Sequence, residues 1–573
     1  MLTKVLVANR GEIAVRIVRA CAELGIASVA VHSDADAGAL HARLADEAVA
    51  LPGRTAAATY LDADVLLAAA RATGADAVHP GYGFLAEDAG FAAAVEDAGL
   101  TYVGPPAGAV AAMGDKVSAR ALAVAAGVPV LPGVEGNLDA GQVRALGDAH
   151  GWPVVVKAAH GGGGRGMRVV AGPGDVEAAL AAARSEARAA FGDGTVYAER
   201  YLTRPRHVEV QVLADHHGGV VWLGDRDCSV QRRHQKLVEE APAPGLDAEL
   251  RTAMGEAAVA LARGVGYRGA GTVEFLVDDG RFHFLEFNTR IQVEHPVTEA
   301  VLGIDLVREQ LLVAGGAPLS VPVSGPAPRG HAVECRINAE DPARGFLPAA
   351  GTLRALHVPW LPGVRLDTGY EPGDAVPPDY DGLVAKLVVW GPTRDAALHR
   401  ARAALAGTVV DGVPSTVPAA AAVLAHPDFA AGGVPTGWFE QVVVPSLAVT
   451  PAPTDAPADG AWIGGRFNRI PAPPATASPV RRAARPAPTR RTDRGAAADL
   501  RVISPMQGTV VAVEAAVGDT VEAGAVLVRV EAMKMENPVR ATVAGTVEAV
   551  CVAVGQVVGA GEPLVVLTAG GAA

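Results

Sequence analysis

Two glutamates near the middle of the chain stand where a pair of β-strands would bring them together. Glu274 lies in one β-type apolar run and Glu286 in the next, with Asp279 and Gly280 between the runs. A three-residue hairpin loop centred on Gly280 would place the two carboxylates directly opposite each other. Facing carboxylates repel, and burial raises the cost, unless a cation neutralises both. The pair therefore predicts a site for a hard divalent cation, typically Mg²⁺ beside nucleotide phosphates.

Beyond Glu286, every second residue up to position 294 carries a functional polar or charged side chain. The residues that share this parity are Glu286, Asn288, Arg290, Gln292 and Glu294. If the segment is extended, five functional groups line one face over roughly 26 Å at about 3.3 Å per residue. An edge strand with one solvent-exposed face is the alternative, which the opposing Glu274 disfavours.

A run of four glycines, 161–164, separates two further predicted strands. Glycine weakens strands and is costly to order, but it lets backbone N–H groups approach phosphate oxygens closely. Lys157 precedes the run and Arg165 follows it, and both charges suit phosphate. The spacing is not that of a P-loop, so a P-loop NTPase is disfavoured. A flexible linker is the alternative interpretation.

Lys534 stands between two methionines at the joint of an internal repeat. A shift of 37 residues lays 508–530 on 545–567 with 13 of 23 positions identical. Two such valine-rich halves predict a small pseudo-symmetric β-domain with Lys534 on an exposed turn. An ordinary exposed lysine is the alternative, but apolar methionines on an exposed turn indicate that another protein contacts it.

The elements that must position these groups follow from hydrophobic periodicity. Strand–helix alternation from residue 4 to about 112 predicts an open parallel α/β sheet, and without GxGxxG it is not expected to bind a dinucleotide. Lys116 follows Asp115 at a helix start, and Arg336 lies on a strand-like run. Nine prolines between residues 451 and 488 predict a linker, with a short ordered piece at 462–467.

Composition sets the outer limits. The chain has 573 residues, which indicates three or four domains. A net charge of −13 argues against a nucleic-acid partner. Four scattered cysteines without a CxxC pair favour a reducing compartment and no zinc site. No signal segment and no apolar run of membrane-spanning length is found, so we expect a cytoplasmic protein without a membrane partner.

Three strings carry a resemblance to a known family. His79-Pro80-Gly81-Tyr82-Gly83-Phe84 and the string from Asn288 to Pro296 resemble segments of biotin carboxylases. Ala532-Met533-Lys534-Met535 resembles the attachment site of biotinyl carrier domains. Together they resemble, in family order, the alpha chain of a bacterial, actinobacterial-like acyl-CoA carboxylase of the acetyl- or propionyl-CoA type.

The resemblance implies an α/β multi-domain chain. The implied parts are a half-Rossmann-like N-terminal domain at 1–112, an ATP-grasp domain at 113–320 with a lid at about 130–203, a carboxylase C-terminal domain at 321–445, a Pro/Ala/Arg-rich linker at 446–500, and an all-β biotinyl/lipoyl-like carrier domain at 501–570.

The implied activity is that of a ligase forming a carbon–nitrogen bond. ATP and bicarbonate would carboxylate biotin, held covalently on Lys534, through carboxyphosphate. A separate carboxyltransferase beta subunit would pass the carboxyl group to acetyl-CoA or propionyl-CoA. A biotin protein ligase would modify Lys534, and a homo-oligomer within an alpha/beta holoenzyme is expected. The chain leaves no residues for its own carboxyltransferase, which argues against a full-length pyruvate carboxylase.

Individual roles follow from the same resemblance. The nucleotide contacts would be Lys116, Lys157, Gly163, Gly164, Glu199, Leu202, His207, Gln231 and His234. The ligands of Mg²⁺ or Mn²⁺ would be Glu274, Glu286 and Asn288. The bicarbonate site would comprise Lys236, Arg290, Gln292 and Val293, with Glu294 as general base and Arg336 stabilising the biotin enolate. The alternatives are another ATP-grasp ligase of amino-acid or purine type, and a degenerate ATP-binding scaffold that only displays biotin.

Overall fold

The structure is a computed structural model. It describes residues 2–136, 138–158, 167–191, 193–322, 327–447, 460–463, 466–469, 501–506, 508–532, 535–559 and 561–569. The chain divides into two compact units, Met1–Ala448 and Val449–Ala573. The α-helices are Gly11–Leu24, Leu40–Leu44, Ala63–Thr73, Ala89–Asp97, Ala107–Gly114, Lys116–Ala125, Ala140–His150, Val176–Phe191, Ala248–Gly264, His295–Leu302, Leu306–Ala314, Arg394–Ala406, Val417–Ala425 and Pro427–Ala431.

The first unit begins with the predicted parallel sheet. Its strands, in spatial order, are Glu47–Ala50, Ala27–His32, Lys4–Val7, Ala77–His79 and Thr101–Tyr102. The central strand Lys4–Val7 is buried on nearly its whole length because helices cover the sheet. The following helix, Gly11–Leu24, ends at Gly25, whose φ of 68° is the left-handed cap that glycine adopts without strain. The predicted open parallel α/β sheet is confirmed.

A small antiparallel sheet contains the strands on either side of the glycine run. Its order is Gly133–Val134, Val196–Arg200, Val154–Ala158 and Arg168–Val170. Val154 pairs with Val170, so the two strands predicted around the glycines form one hairpin. The glycines themselves, with Arg165, lie outside the described residues.

An eight-stranded antiparallel sheet forms the centre of the first unit. Its strands, in spatial order, are Arg281–Asn288, Gly269–Asp278, Arg206–Ala214, Val220–Arg232, Gln235–Ala241, His331–Asn338, Leu383–Gly391 and Val364–Thr368. Ala241 pairs with Ala332, so the sheet runs without a break across the boundary expected near residue 320. Smaller pairs are Glu340–Asp341 with Leu347–Pro348, Gly351–Thr352 with Ala375–Val376, and Ala355–His357 with Val409–Asp411.

The hairpin that carries the two glutamates has the predicted pairing but a different loop. Asp278 pairs with Arg281, so the loop is the two residues Asp279 and Gly280, both with positive φ. Such a loop alone would leave Glu274 one position out of register. A β-bulge after Glu274 supplies the missing shift, and Glu274 pairs directly with Glu286. The predicted three-residue loop is wrong, whereas the predicted pairing of Glu274 with Glu286 is confirmed.

The chain after this hairpin is not the extended face expected from its alternating polarity. The strand Arg281–Asn288 is followed by the helix His295–Leu302, with six residues between them. The segment between them contains a turn at residues 293–294. Apolar Ile291 is fully buried there, so both parities face protein rather than one facing water.

The second unit contains a pseudo-symmetric pair of four-stranded sheets. One has the order Arg501–Ile503, Pro563–Ala569, Gly545–Val550 and Thr520–Val521. The other has the order Met535–Arg540, Val526–Ala532, Gly508–Val513 and Val557–Val558. Adding 37 to the residue numbers of a strand in one half gives the matching strand in the other half. The short strand of each half pairs within the sheet that is formed mainly by the other half. The repeat predicted from sequence is confirmed.

Two further predictions concern residues near this unit. The short ordered piece expected at 462–467 is a pair of strands, Gly460–Ile463 and Arg466–Arg469. The strands Val526–Ala532 and Met535–Arg540 pair with Ala532 opposite Met535. Lys534 itself lies outside the described residues. Across the described chain, no helix has both the length and the apolar character that crossing a bilayer requires.

Candidate active site

One row of side chains crosses four adjacent strands of the central sheet. Glu286 pairs with Glu274, Glu274 with Glu209, and Glu209 with Arg226. Directly opposed residues project on the same face, so three carboxylates and one guanidinium lie side by side. Glu209 and Arg226 are both 0% exposed. A buried row of this kind requires further cations, because three adjacent carboxylates in a low dielectric repel strongly.

Lys236 supplies the central cation. Its Nζ donates to Glu209 Oε2 at 2.6 Å, Glu294 Oε1 at 2.6 Å and Glu274 Oε1 at 2.9 Å, which uses all three of its protons. Burial alone would lower the pKa of Lys236, but the charges of the three carboxylates outweigh burial and hold its pKa well above the ordinary value. The ammonium is therefore permanently charged.

Glu294 lies between two cations. Its Oε1 accepts from Lys236, and its Oε2 accepts from Arg336 Nη2 at 2.8 Å. Burial would raise the pKa of Glu294, yet the charges of Lys236 and Arg336 outweigh it and hold the pKa well below its ordinary value. In this state Glu294 is an ionised carboxylate and a weak base.

The base strength of Glu294 thus depends on how strongly Lys236 and Arg336 attract its carboxylate. An anion that contacts Lys236 or Arg336 weakens their attraction for Glu294, and burial then raises its pKa. An anion bound there would therefore increase the base strength of the Glu294 carboxylate.

Arg226 closes the row and organises its surroundings. The guanidinium donates to five acceptors on Glu209, Gln211, Thr272, Gln292 and Thr298. All five of its N–H groups are therefore used, which is what a fully buried guanidinium requires. Because Gln292 is among these acceptors, Arg226 fixes the loop that leads to Glu294.

The predicted cation ligands lie together at the outer end of the row. Asn288 Nδ2 donates to Glu274 Oε1 at 2.9 Å, and Gln292 Nε2 donates to the same oxygen at 2.6 Å. Burial, and then the neighbouring charge of Glu274, raise the pKa of Glu286. Glu274 is thus surrounded by donors, whereas the charge of Glu286 is the less well compensated of the two.

Arg290, predicted for the bicarbonate site, lies beside this end. Its Nη2 donates to Asn288 Oδ1 at 3.0 Å, and its Nε lies 3.2 Å from Glu87 Oε2. The backbone carbonyl of Val293 accepts from Lys386 Nζ at 2.9 Å. The four residues predicted to bind bicarbonate therefore lie around one region of the sheet face.

The predicted nucleotide residues divide between this face and the small sheet. His207 Nε2 lies 2.8 Å from Glu274 Oε2, and Gln231 Nε2 lies 2.8 Å from His207 Nδ1. On the small sheet, Lys157 Nζ donates to Glu199 Oε1 at 2.5 Å.

Lys116 and His234, two more of the predicted nucleotide residues, lie in positions that are unfavourable for their charge or their backbone conformation. Lys116 begins a helix whose N-cap is Asp115, where the helix dipole disfavours a cation. Burial lowers the pKa of Lys116, while the nearby charge of Glu286 opposes that shift. His234 has a φ of 66°, an uncommon conformation for a residue with a side chain, and burial lowers its pKa. Leu202 is 7% exposed. Gly163 and Gly164 lie outside the described residues.

Sequence reasoning missed several residues of this face. They are Glu12, Glu87, Glu209, Arg226, Glu239, Glu334 and Lys386. The alternating polarity of 206–212 was visible, but alternation alone does not say whether the polar face meets water or a buried site. An additional signal was the arginine of Asp225-Arg226-Asp227, which lies within the strand Val220–Arg232 directly after its mainly apolar first part.

Four family models match successive stretches of the chain. Residues 1–110 match the N-terminal domain of biotin carboxylase, and residues 334–441 match its C-terminal domain. Residues 115–321 match the family described as carbamoyl-phosphate synthase L chain, ATP binding domain. Residues 501–567 match the family described as biotin-requiring enzyme. The ATP-binding and biotin-carrying regions expected from the sequence are thus confirmed.

Individual relatives agree. The biotin carboxylase of Haemophilus influenzae is 50% identical over 443 residues, which is 77% of this chain and 99% of that protein. The biotin-dependent acyl-coenzyme A carboxylase alpha3 subunit of Mycobacterium leprae is 46% identical over 566 residues, 94% of each chain.

A solved structure shows the same fold for the first unit. It is the biotin carboxylase domain dimer of Hydrogenobacter thermophilus 2-oxoglutarate carboxylase, in complex with MgADP, ADP and bicarbonate. The two are 42% identical with a TM-score of 0.74, over 78% of this chain and 98% of that one. This chain belongs to the biotin carboxylase family and, with its carrier unit, to the alpha subunits of biotin-dependent acyl-CoA carboxylases.

Proposed function

We propose that this chain uses ATP and bicarbonate to carboxylate biotin on its own Lys534, and that a separate carboxyltransferase subunit transfers the carboxyl group to an acyl-CoA. The observation that carries the proposal is Glu294 held between Lys236 and Arg336. Two fixed cations and one carboxylate on a buried face suit the capture and deprotonation of a small oxyanion such as bicarbonate.

Bicarbonate binding is assigned to the cations at this site. Lys236 and Arg290 are the anchors, since both are charged and lie on either side of Glu274 and Asn288. Bicarbonate takes part of the attraction that Lys236 exerts on Glu294, so the pKa of Glu294 rises as the anion arrives. The carboxylate then accepts the bicarbonate proton, and the deprotonated oxygen attacks the γ-phosphorus of ATP to give carboxyphosphate and ADP.

Arg336 is assigned to the second half-reaction. It is fixed by Glu239 and Glu294, and burial is outweighed by these two charges, so its pKa lies above the ordinary value. Carboxyphosphate releases phosphate as its carboxyl group passes to the biotin ring nitrogen, and the released phosphate takes the proton of that nitrogen. A guanidinium held in place beforehand stabilises negative charge that develops on the ureido oxygen without reorganising during the reaction.

A divalent cation is assigned to the outer end of the row. Glu286, Asn288 and Glu274 offer oxygen donors, which is the donor set that Mg²⁺ and Mn²⁺ accept. Burial, and then the charge of Glu274, raise the pKa of Glu286, so a cation that neutralises both carboxylates fits these residues. Such an ion, when bound, neutralises phosphoryl charge. Lys116, Lys157, Glu199, Leu202, His207, Gln231 and His234, with Gly163 and Gly164, are assigned to the nucleotide.

The acyl-CoA assignment rests on a relative rather than on the site. The Mycobacterium leprae protein named as an acyl-coenzyme A carboxylase alpha3 subunit matches over 94% of both chains. Acetyl-CoA and propionyl-CoA are the proposed acceptors, and we assign biotin attachment to a biotin protein ligase. A homo-oligomer in the cytoplasm is proposed by analogy with the dimer named for the Hydrogenobacter domain.

ATP hydrolysis with free biotin, with and without bicarbonate, tests the proposal directly. The intact chain is expected to hydrolyse ATP in a bicarbonate-dependent manner, and Glu294→Gln to lose that turnover while still binding ATP. The matched control is Glu309→Gln, which alters another buried glutamate whose hydrogen bonds go to Ser320 rather than to a residue of this site. Bicarbonate-independent hydrolysis, or full turnover by Glu294→Gln, would contradict the assignment. Co-purification of the native complex and an acyl-CoA panel then identify the acceptor.

A further inference from the structure

A second buried cation lies directly beside Arg336. Lys386 pairs with Arg336 across the strands His331–Asn338 and Leu383–Gly391, and its residue is 0% exposed. Like charges directly opposite each other on a sheet are destabilising, and burial of an ammonium adds to the cost. Both cations therefore need buried partners that offset this cost.

The two cations hold two consecutive residues of one turn. Arg336 Nη2 donates to Glu294 Oε2 at 2.8 Å, and Lys386 Nζ donates to the backbone carbonyl of Val293 at 2.9 Å. The turn leads into the helix His295–Leu302, whose N-terminus has no side-chain cap. The orientation of Glu294 therefore depends on contacts from outside its own segment.

Lys386 is itself anchored by a residue from the beginning of the chain. Its Nζ lies 3.0 Å from Glu12 Oε1, which also accepts from the Tyr82 hydroxyl. Glu12 is in the first turn of the helix Gly11–Leu24 and is 3% exposed. The catalytic turn is thus connected through one ammonium to the N-terminal parallel sheet and to the strand Leu383–Gly391.

We propose that Lys386, anchored by Glu12, is a positioning residue of the bicarbonate site. By holding the Val293 carbonyl it fixes the turn on which the Glu294 carboxylate is aimed at Lys236 and Arg336. Without this bond the turn has one fewer fixed point, and displacements of about 1 Å in such a site cost on the order of a hundredfold in rate. The inference deepens the proposed function and rests on it.

The test uses the intact biotinylated chain and three variants. Lys386→Met removes the donor and the charge but keeps the length of the side chain, and it leaves Glu12 buried without its cation. The double variant Glu12→Gln, Lys386→Met removes both charges, so it avoids the unpaired carboxylate and folds even where the single variant does not. The control is Arg394→Met, which removes a partly buried cation bonded to Glu240 and to two backbone carbonyls away from this turn.

Three quantities are measured for each variant: the thermal unfolding midpoint, the dissociation constant of ATP, and kcat and KM for bicarbonate in ATP hydrolysis. We expect the double variant to regain most of the thermal stability that Lys386→Met loses, and yet to keep a bicarbonate kcat/KM reduced about tenfold or more. ATP binding is expected to stay within about twofold of the unsubstituted chain. Arg394→Met is expected to lose stability without a change in the bicarbonate constants.

Recovery of the bicarbonate constants together with stability in the double variant would show that Lys386 only balances charge, and would overturn the proposal. Unchanged constants in Lys386→Met would overturn it as well. Failure of the proposed function is distinguishable, because the unsubstituted chain would then show no bicarbonate-dependent hydrolysis before any variant is compared.

Discussion

Replacing Lys236 by methionine is the most direct test of how the buried face is held together. The substitution keeps the length of the side chain and removes one charge. Three carboxylates then lose their shared cation, although each keeps another partner. Glu209 keeps Arg226, Glu274 keeps His207, and Glu294 keeps Arg336.

The expected loss follows from these remaining contacts. Each Lys236 contact is 2.6–2.9 Å long, and at an effective dielectric of about 20 a pair of unit charges at about 4 Å attracts by ~4 kcal/mol. Three such contacts would sum to ~12 kcal/mol before desolvation. Because desolvation of the ammonium is relieved and every carboxylate keeps another polar partner, we expect ~5 kcal/mol, the upper end of the range for breaking a buried pair.

The pH dependence separates charge from packing. In the unsubstituted chain the pKa of Glu274 and that of Glu294 lie below the ordinary value near 4.5, so their stabilisation is present above that value and is lost only as pH falls below it. Without Lys236, burial dominates and raises both pKa values. The deficit is then largest at high pH and shrinks as pH falls toward the ordinary value.

Thermal unfolding of Lys236→Met between about pH 5.5 and about pH 8.5 measures this trend. The control is Lys4→Met, which breaks an exposed pair with Glu47 and should cost no more than about 1 kcal/mol at any of these pH values. A deficit of Lys236→Met that is independent of pH, or that grows toward low pH, would refute the electrostatic account and indicate a loss of packing instead.

Three further predictions concern single groups. Arg336→Ala should abolish bicarbonate-dependent ATP turnover and leave ATP binding intact; normal turnover would remove Arg336 from the site. Burial, together with the charge of Glu239, raises the pKa of Glu334 well above the ordinary 4.5, so the folded chain holds a proton and loses stability as pH rises above about 4.5. Glu334→Gln should therefore gain stability relative to the unsubstituted chain between about pH 5 and about pH 8 in thermal unfolding, and a constant difference would contradict this. Lys534→Arg should lose the mass increase of biotin while bicarbonate-dependent hydrolysis with free biotin persists; a persistent mass increase would place biotin elsewhere.

Local patterns were sufficient for the parts of the fold that depend on neighbouring residues. The parallel sheet, the strands around the glycine run and the 37-residue repeat all follow from periodicity and turn residues. The facing of Glu274 and Glu286 was also predicted, although the bulge that produces it was not. Bulges depend on packing against neighbouring strands, and the sequence of one hairpin does not specify them.

The rest of the site could not be predicted because it depends on pairing between distant strands. Glu239 and Glu334 face each other across strands that are separated by 95 positions, and Lys386 meets Glu12 over a still longer interval. Each of these residues is charged, and considered alone it would be expected at a solvent-exposed position. The order of strands in the central sheet brings Glu239, Glu334 and Lys386 together, and the packing of the helix Gly11–Leu24 adds Glu12.

The charges of this face explain why substrate binding and base strength are coupled. Lys236, Arg226 and Arg336 already pair with carboxylates, so the described site is close to balanced at its centre. An incoming oxyanion cannot add a charge there without weakening an existing pair, and Glu294 is the carboxylate that shares cations with the proposed anion site. In the proposed reaction, the same competition that admits bicarbonate would therefore raise the pKa of Glu294, the carboxylate assigned to deprotonate it. A site with spare cations would bind the anion more tightly and leave Glu294 too weak a base to act on it.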